Sequence, residues 1–170
     1  MLNLGEDMLK LLMMRGVPGC GKSTKAEQLL IKEASLGRNA HIFSTDAFWG
    51  VEYNFVQAKL REAHLWNQNR AMAKMIEVYA LKEHNTTIII DNTNICSWEL
   101  RPYVKPALQL NFAIEIIEPS TSWAFDAEEC ARRTVHGVPV ETIRSMLARW
   151  EKDLTVEQCL AAVAPWEKTA

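Results

Sequence analysis

Short apolar runs alternate along this chain with longer segments in which apolar residues recur every three or four positions. The runs of strand length are residues 9–14, 41–44, 86–90 and 112–117. The run at 86–90 is the clearest strand, because it is β-branched throughout and apolar at its end, as a buried parallel strand requires. The alternation of such runs with helical segments predicts an α/β fold, a parallel sheet of about four strands between layers of helices.

The helical spacing predicts where the intervening helices lie. They are expected at residues 23–37, 56–82, from 97 to beyond 108, 122–134, from 139 to about 150, and near 156–164. Pro102 and Pro106 are expected to interrupt the early part of the third of these. In the second, the expected apolar stripe consists of Leu65, Met72, Met75, Ile76 and Tyr79.

A glycine-rich segment of the form G-x-x-x-x-G-K-[ST] lies between the first predicted strand and the first predicted helix. Its glycines let bare backbone N–H groups approach phosphate oxygens, and the following helix directs its positive end at the same anion. Lys22 supplies a mobile charge to the terminal phosphates, and Ser23 supplies a hydroxyl for Mg²⁺. We therefore predict a nucleoside-triphosphate site formed by Gly16, Gly19, Cys20, Gly21, Lys22, Ser23 and Thr24.

Asp46 follows the second predicted strand, at the sheet edge where open α/β sheets bind ligands. It is a candidate general base for a substrate hydroxyl, and an N-cap of a following turn is the alternative. Residues 47–55 are rich in aromatics, with Phe48 and Trp49 foremost. These rings would either stack on a nucleobase or anchor the loop to the core.

Four polar side chains follow the third predicted strand and are expected at the same edge of the sheet. Asp91 occupies the position of a Mg²⁺-holding carboxylate that comes after an apolar strand. Asn92 and Asn94 are candidates for positioning an acceptor. A purely structural turn is the alternative.

A basic pair, Arg132-Arg133, ends the helical stretch beyond the fourth predicted strand, and His136-Gly137-Val138-Pro139 follows it. A cationic segment closed by a Gly/Pro turn suits a lid over the transferred phosphate. A solvated basic helix end, favoured by the helix dipole, is the alternative.

Composition narrows the class of protein. The chain has 170 residues, 48% of them hydrophobic and 24% charged, which suits one domain over 1–170. No apolar run is long enough to span a membrane, and residues 1–7 lack a secretory signal. Four widely spaced cysteines suit a reducing cytoplasm. The net charge of −2 weighs against a long duplex footprint, but it allows a pocket for one strand end.

Four motifs occur together in a characteristic order. They are residues 16–24, Ser44-Thr45-Asp46, Asp91-Asn92-Thr93-Asn94 and residues 131–139. In this combination the chain resembles the P-loop kinase group that includes phage-type polynucleotide 5′-kinase. Within that group it most resembles the kinase-like domain of the Nedd-four-binding-protein-two family.

The resemblance implies a P-loop NTPase three-layer sandwich with a short helical lid, and a kinase that phosphorylates the 5′-hydroxyl of a nucleic acid. Lys22 and Ser23 would bind ATP and Mg²⁺, and Asp46 would take the proton from the hydroxyl. Asn92 would help hold the acceptor, and an arginine of Arg132-Arg133 would stabilise the migrating phosphoryl group. A small-molecule or nucleoside kinase and an ATP-binding module without a nucleic-acid acceptor are the alternative functions.

The chain departs from the phage-type pattern in two places. The turn after the basic pair is shortened to Val135-His136-Gly137, and the loop after Asp46 carries no basic residue before Lys59. The lid arginine that acts and the group that contacts an acceptor phosphate are therefore unassigned by sequence.

Overall fold

The computed structural model of the protein describes residues 8–168. Residues 1–7, on which the expectation about a secretory signal rests, lie outside that range. Within it, no helix is both long enough and apolar enough to cross a membrane.

Four parallel strands form the sheet. They are β1 (Lys10–Met14), β2 (Asn39–Phe43), β3 (Thr86–Asp91) and β4 (Ala113–Ile117). The spatial order is β2-β3-β1-β4, with β1 and β3 paired at the centre. Every residue of β3 is buried, as its continuous apolar run predicts. The predicted parallel sheet of about four strands is confirmed.

Within residues 8–168, six helices accompany the sheet. They are α1 (Lys22–Ser35), α2 (Leu60–Ala80), α3 (Ser97–Gln109), α4 (Ala127–Arg133), α5 (Val140–Ala148) and α6 (Val156–Ala161). Short 3₁₀ turns at Thr45–Trp49, Gln57–Lys59 and Pro165–Glu167 complete the described elements.

Successive strand residues face opposite sides of the sheet, and each side has its own helices. Leu12, Met14 and Ile89 pack with Ala26 of α1. Leu11, Met13, Ile88 and Ile90 belong to the core that includes residues of α2 and α3. The predicted three-layer arrangement of helix, sheet and helix is confirmed.

The predicted apolar stripe of α2 is wrong for four of its five residues. Leu65, Met72, Ile76 and Tyr79 are 55%, 38%, 52% and 43% exposed, whereas Met75 is fully buried. The buried face consists of Ala63, Asn67, Ala71, Met75 and Val78. Three of these five are alanine or valine, and one is a hydrogen-bonded asparagine. The large apolar side chains on which the prediction rests lie on the neighbouring, more exposed face.

Two other helices differ from the predictions. Pro102 and Pro106 lie inside α3 without interrupting it. Each proline removes one backbone hydrogen bond, and burial of Leu100, Tyr103, Val104 and Ala107 on the inner face offsets that loss. The fourth helix is shorter than the predicted 122–134, because Asp126 caps it by accepting a hydrogen bond from the Glu129 amide.

Candidate active site

The phosphate loop (residues 16–24) leaves the end of β1 and enters α1. The Gly16 amide donates to the Thr93 carbonyl (2.8 Å), which ties the loop to the segment after β3. Gly21 caps α1 with φ 96°, a left-handed conformation that favours glycine, and no side chain caps this helix. The first amides of α1 are therefore left to bind an anion.

The segment before α4 lies against the phosphate loop. The Thr121 hydroxyl donates to the Cys20 carbonyl (2.8 Å), and the Trp123 indole N–H donates to the Gly19 carbonyl (3.2 Å). Gly19 has φ 79°, and a Cβ atom there would collide with the Cys130 carbonyl of α4. These contacts with residues distant in sequence hold the loop in shape, and sequence reasoning gave Thr121 and Trp123 no role.

Asp91 ends β3 beside the loop. Burial raises the pKa of its carboxyl group, while the Lys22 charge and a hydrogen bond with Ser23 lower it. Its Oδ1 atom is buried and has no hydrogen-bond partner among the described residues. A buried carboxylate oxygen without a partner beside a serine hydroxyl suits Mg²⁺, which prefers oxygen ligands.

Asp46 lies in the 3₁₀ turn that follows β2, with its side chain exposed to the cleft. Ser44, not Asp46, caps this turn, because its hydroxyl accepts from the Asp46 amide (3.2 Å). The alternative in which Asp46 serves as an N-cap is therefore wrong. Its Oδ1 accepts a hydrogen bond from the Tyr53 hydroxyl (3.1 Å), which leaves further acceptor capacity on the carboxylate.

Asn92 and Asn94 are both buried and both use their amide groups within the protein. Asn92 Oδ1 accepts from the Thr45 amide (2.9 Å), and its Nδ2 donates to the Tyr103 hydroxyl (3.0 Å). Asn94 Nδ2 donates to the Met14 carbonyl (2.7 Å). These bonds position the strand ends and the turn that carries Asp46.

The aromatic residues after Asp46 contact one another and α2. Phe48 packs edge-on against Trp49 and Trp66, and Trp49 packs against Phe55. Trp49 is 7% exposed. Among residues 8–168, Trp49 and Phe55 line the cleft and Phe48 does not. The geometry favours the anchoring alternative for Phe48 and Trp49.

The two arginines of the basic pair, Arg132 and Arg133, end α4 and have different surroundings. Arg133 lines the cleft, stacks its guanidinium on the Trp123 ring (4.0 Å), and pairs with Glu129 (2.6 Å). Arg132 also pairs with Glu129, but its side chain is 75% exposed and is absent from the described lining of the cleft. Of the pair, Arg133 is the one beside the phosphate loop.

Arg15 is a buried residue that sequence reasoning left without a role. Its guanidinium donates to the carbonyls of Asn94, Ile95 and Glu151, pairs with Glu118, and lies over the Trp150 ring (4.1 Å). It therefore joins the segments after β1, β3, β4 and α5 beneath the site. In the sequence, the signal for this role of Arg15 is a charged residue directly after an apolar strand.

Residues of the phosphate loop, Asp46, Asp91, Asn92 and Arg133 line one continuous cleft of about 2070 Å³. Pockets for a single small ligand measure roughly 300–1,000 Å³, so this cleft has room for two substrates. Asp91 therefore shares the cleft with Asp46 and with Lys22 and Ser23 of the phosphate loop.

Three known proteins are similar to this chain over most of its length. The chain is 37% identical over 159 residues to NEDD4-binding protein 2 of Homo sapiens, covering 92% of this chain and 8% of that protein. A structure of the Pnkp1/Rnl/Hen1 complex matches with a TM-score of 0.52 and 23% identity, over 77% of this chain and 40% of the other. The APS kinase CysC of Mycobacterium tuberculosis, solved with AMPPNP and APS, matches with a TM-score of 0.51 and 16% identity, over 74% and 68%.

A parallel sheet with a phosphate loop after β1 and a carboxylate at the end of β3 defines a P-loop kinase-like α/β fold. The family model described as AAA domain matches residues 11–152, and the chain belongs to that family. The resemblance to the NEDD4-binding protein 2 family predicted from the motifs is confirmed, although the chain spans a small part of that relative's length.

Proposed function

We propose that this chain transfers the γ-phosphate of ATP to the 5′-hydroxyl of a nucleic acid. The observation that carries the proposal is that one cleft is lined both by the phosphate loop and by Asp46. A kinase requires such a pairing, a cradle for the donor phosphates facing a base for the acceptor hydroxyl.

The donor half would bind ATP and Mg²⁺. The amides at the start of α1 and the Lys22 ammonium group would hold the phosphates, and Ser23 and Asp91 would hold the metal ion. No group of three or more His, Cys, Asp or Glu side chains placed to hold a metal ion occurs among the described residues. This fits Mg²⁺ in phosphoryl-transfer sites, which uses one or two carboxylates together with substrate phosphates and water. The bound ion would neutralise charge on the phosphates.

The acceptor half would act through Asp46. Its exposed carboxylate would accept the proton of the attacking hydroxyl, and the hydrogen bond that the Thr45 amide donates to Asn92 Oδ1 would keep its turn in place. Arg133 would release Glu129 to contact the migrating phosphoryl group, whose charge it would stabilise. The 5′ end of a nucleic acid as acceptor is supported by the motif resemblance to the phage-type polynucleotide 5′-kinase group.

Replacement of the proposed base tests this function. We expect Asp46→Asn to lower transfer from labelled ATP to a 5′-hydroxyl oligonucleotide by roughly 100-fold or more, because general-base catalysis contributes that much. ATP affinity, measured by calorimetry, is expected to stay within about twofold. Asp153→Asn, in an exposed turn, is the matched control. Unchanged transfer by Asp46→Asn would remove Asp46 from the role of base.

A kinase for a nucleoside or another small hydroxylated molecule is the second candidate. The net charge of −2 and the absence of a basic residue between Asp46 and Lys59 favour a small acceptor. Transfer to nucleosides without transfer to 5′-hydroxyl oligonucleotides would decide for it. ATP hydrolysis that no acceptor stimulates would instead indicate an ATPase module.

A further inference from the structure

Two rings from loops far apart in sequence stack on one another, and the hydroxyl of one of them is hydrogen-bonded to Asp46. The Tyr53 and His136 ring centroids are 3.4 Å apart and their planes differ by 5°. Tyr53 belongs to the acceptor loop (residues 50–56), and His136 belongs to the lid turn (residues 134–139) that follows α4. Both residues line the cleft.

This pair is not part of the packed core. His136 is exposed and Tyr53 is half-buried. Among residues 8–168, no backbone hydrogen bond joins the acceptor loop to the lid turn. Gly50 and Gly137 have φ near 70° and 60°, and no atom lies within 4 Å of a Cβ position at either. Separation of the two loops would therefore break no backbone hydrogen bond between them.

The Tyr53–His136 pair lies next to Asp46, the proposed general base. The Tyr53 hydroxyl donates to Asp46 Oδ1 (3.1 Å), so a planar group beside the Tyr53 ring lies next to the proposed base. The other aromatic rings of the acceptor side already contact one another, with Phe48, Trp49, Phe55 and Trp66 packed edge to face. The parallel Tyr53–His136 pair is the arrangement that suits stacking on a flat ligand.

We propose that Tyr53 and His136 form a two-sided stacking site for the nucleobase at the 5′ end of the acceptor. The inference rests on the proposed function, because it assumes an acceptor with a base next to the reacting hydroxyl. The rings separate to roughly twice their present distance, and the base enters between them. Stacking on aromatic rings tolerates every base, so the site selects a nucleotide end over a plain hydroxyl and does not select a sequence.

The test is a binding assay on the full chain. The probe is an oligonucleotide with a 5′-hydroxyl and 2-aminopurine as its first base, whose fluorescence is quenched by stacking. We expect quenching by the unmodified chain and roughly tenfold weaker binding by Tyr53→Ala and by His136→Ala. Tyr53→Phe and His136→Phe keep a flat ring and are expected to retain quenching. Tyr53→Phe also removes the hydrogen bond to Asp46, which separates stacking from that contact.

Controls and a second readout make the outcomes distinct. Tyr79→Ala and His84→Ala remove exposed rings outside the described lining of the cleft, and they are expected to change nothing. Absence of quenching, or weaker binding in one alanine variant alone, overturns the two-sided site.

Transfer from labelled ATP to the same probe is measured in parallel. Transfer without quenching overturns the stacking site and leaves the proposed function standing, whereas quenching without transfer overturns the proposed function alone.

Discussion

The Thr45 amide donates a hydrogen bond to Asn92 Oδ1 over 2.9 Å, and this bond joins the carboxyl ends of β2 and β3. Both residues are buried. The Asn92 Nδ2 group donates to the Tyr103 hydroxyl, which also accepts from Asn67. Burial raises the pKa of Tyr103 to about 12, so the hydroxyl stays protonated at neutral pH. The turn that carries Asp46 is thus connected to α2 and α3 through one asparagine.

We expect Asn92→Ala to misplace Asp46 while leaving the donor site intact. The variant leaves the buried Thr45 amide without a partner, which costs about 1–3 kcal/mol of unfolding free energy. Transfer is expected to fall roughly tenfold with ATP affinity unchanged, since small misplacements of catalytic groups are expensive. Tyr103→Phe keeps the Thr45 bond and is expected to preserve transfer. Equal losses in the two variants would indicate a general loss of stability.

We expect the two lid arginines to differ in their effect on turnover. Arg133→Ala is expected to lower kcat by about 100-fold, because under the proposed function it removes the charge that stabilises the migrating phosphoryl group. Arg132→Ala, the adjacent matched control, is expected to stay within about threefold of the unmodified chain. Single-turnover kinetics with saturating ATP measure the difference. The reverse ranking would assign the role to Arg132.

We expect Asp91→Asn to weaken the dependence of ATP binding on Mg²⁺. The variant replaces a carboxylate by a neutral amide, and the apparent affinity for Mg²⁺ in the presence of ATP is expected to fall roughly 10- to 100-fold. Calorimetric ATP titrations with and without Mg²⁺ measure this. Binding without metal is expected to be unaffected or strengthened, because a negative charge near the phosphates is removed. An unchanged metal requirement would contradict the assignment.

We expect Glu33 to contribute to acid stability far from the site. Burial raises the pKa of its carboxyl, but the Thr87 hydrogen bond and the charges of Lys10 and Arg38 outweigh it, so the pKa lies below its ordinary value of 4.5. The contribution is complete above pH 4.5 and is lost as the pH falls through the lowered pKa.

Glu33→Gln is accordingly expected to reduce the free energy of unfolding at pH 7 by about 1–3 kcal/mol and to flatten its decline in acid. Urea unfolding at several pH values measures both effects. Glu141→Gln, in an exposed pair with Arg144, is the control and is expected to leave the free energy of unfolding nearly unchanged, because solvent screens exposed ion pairs. A variant with the same acid dependence as the unmodified chain would contradict the role of Glu33.

Local patterns in the sequence predicted a large part of the fold. The β-branched run of β3 and the phosphate loop after β1 were recognisable because their constraints act within a few residues. Asp46 and Asp91 were selected because the carboxyl ends of parallel strands meet at one edge. The buried face of α2 was harder to predict, because Ala63 and Ala71 on that face are small and their pattern resembles a polar face.

The sequence by itself determined the strand and helix alternation, the phosphate loop and the two candidate carboxylates. Tertiary structure decided which of Arg132 and Arg133 lines the cleft, how Asn92 holds the Thr45 turn, and that Tyr53 meets His136. These relationships join residues far apart along the chain. Their distances depend on how helices and loops pack on the sheet, and no local spacing encodes that packing.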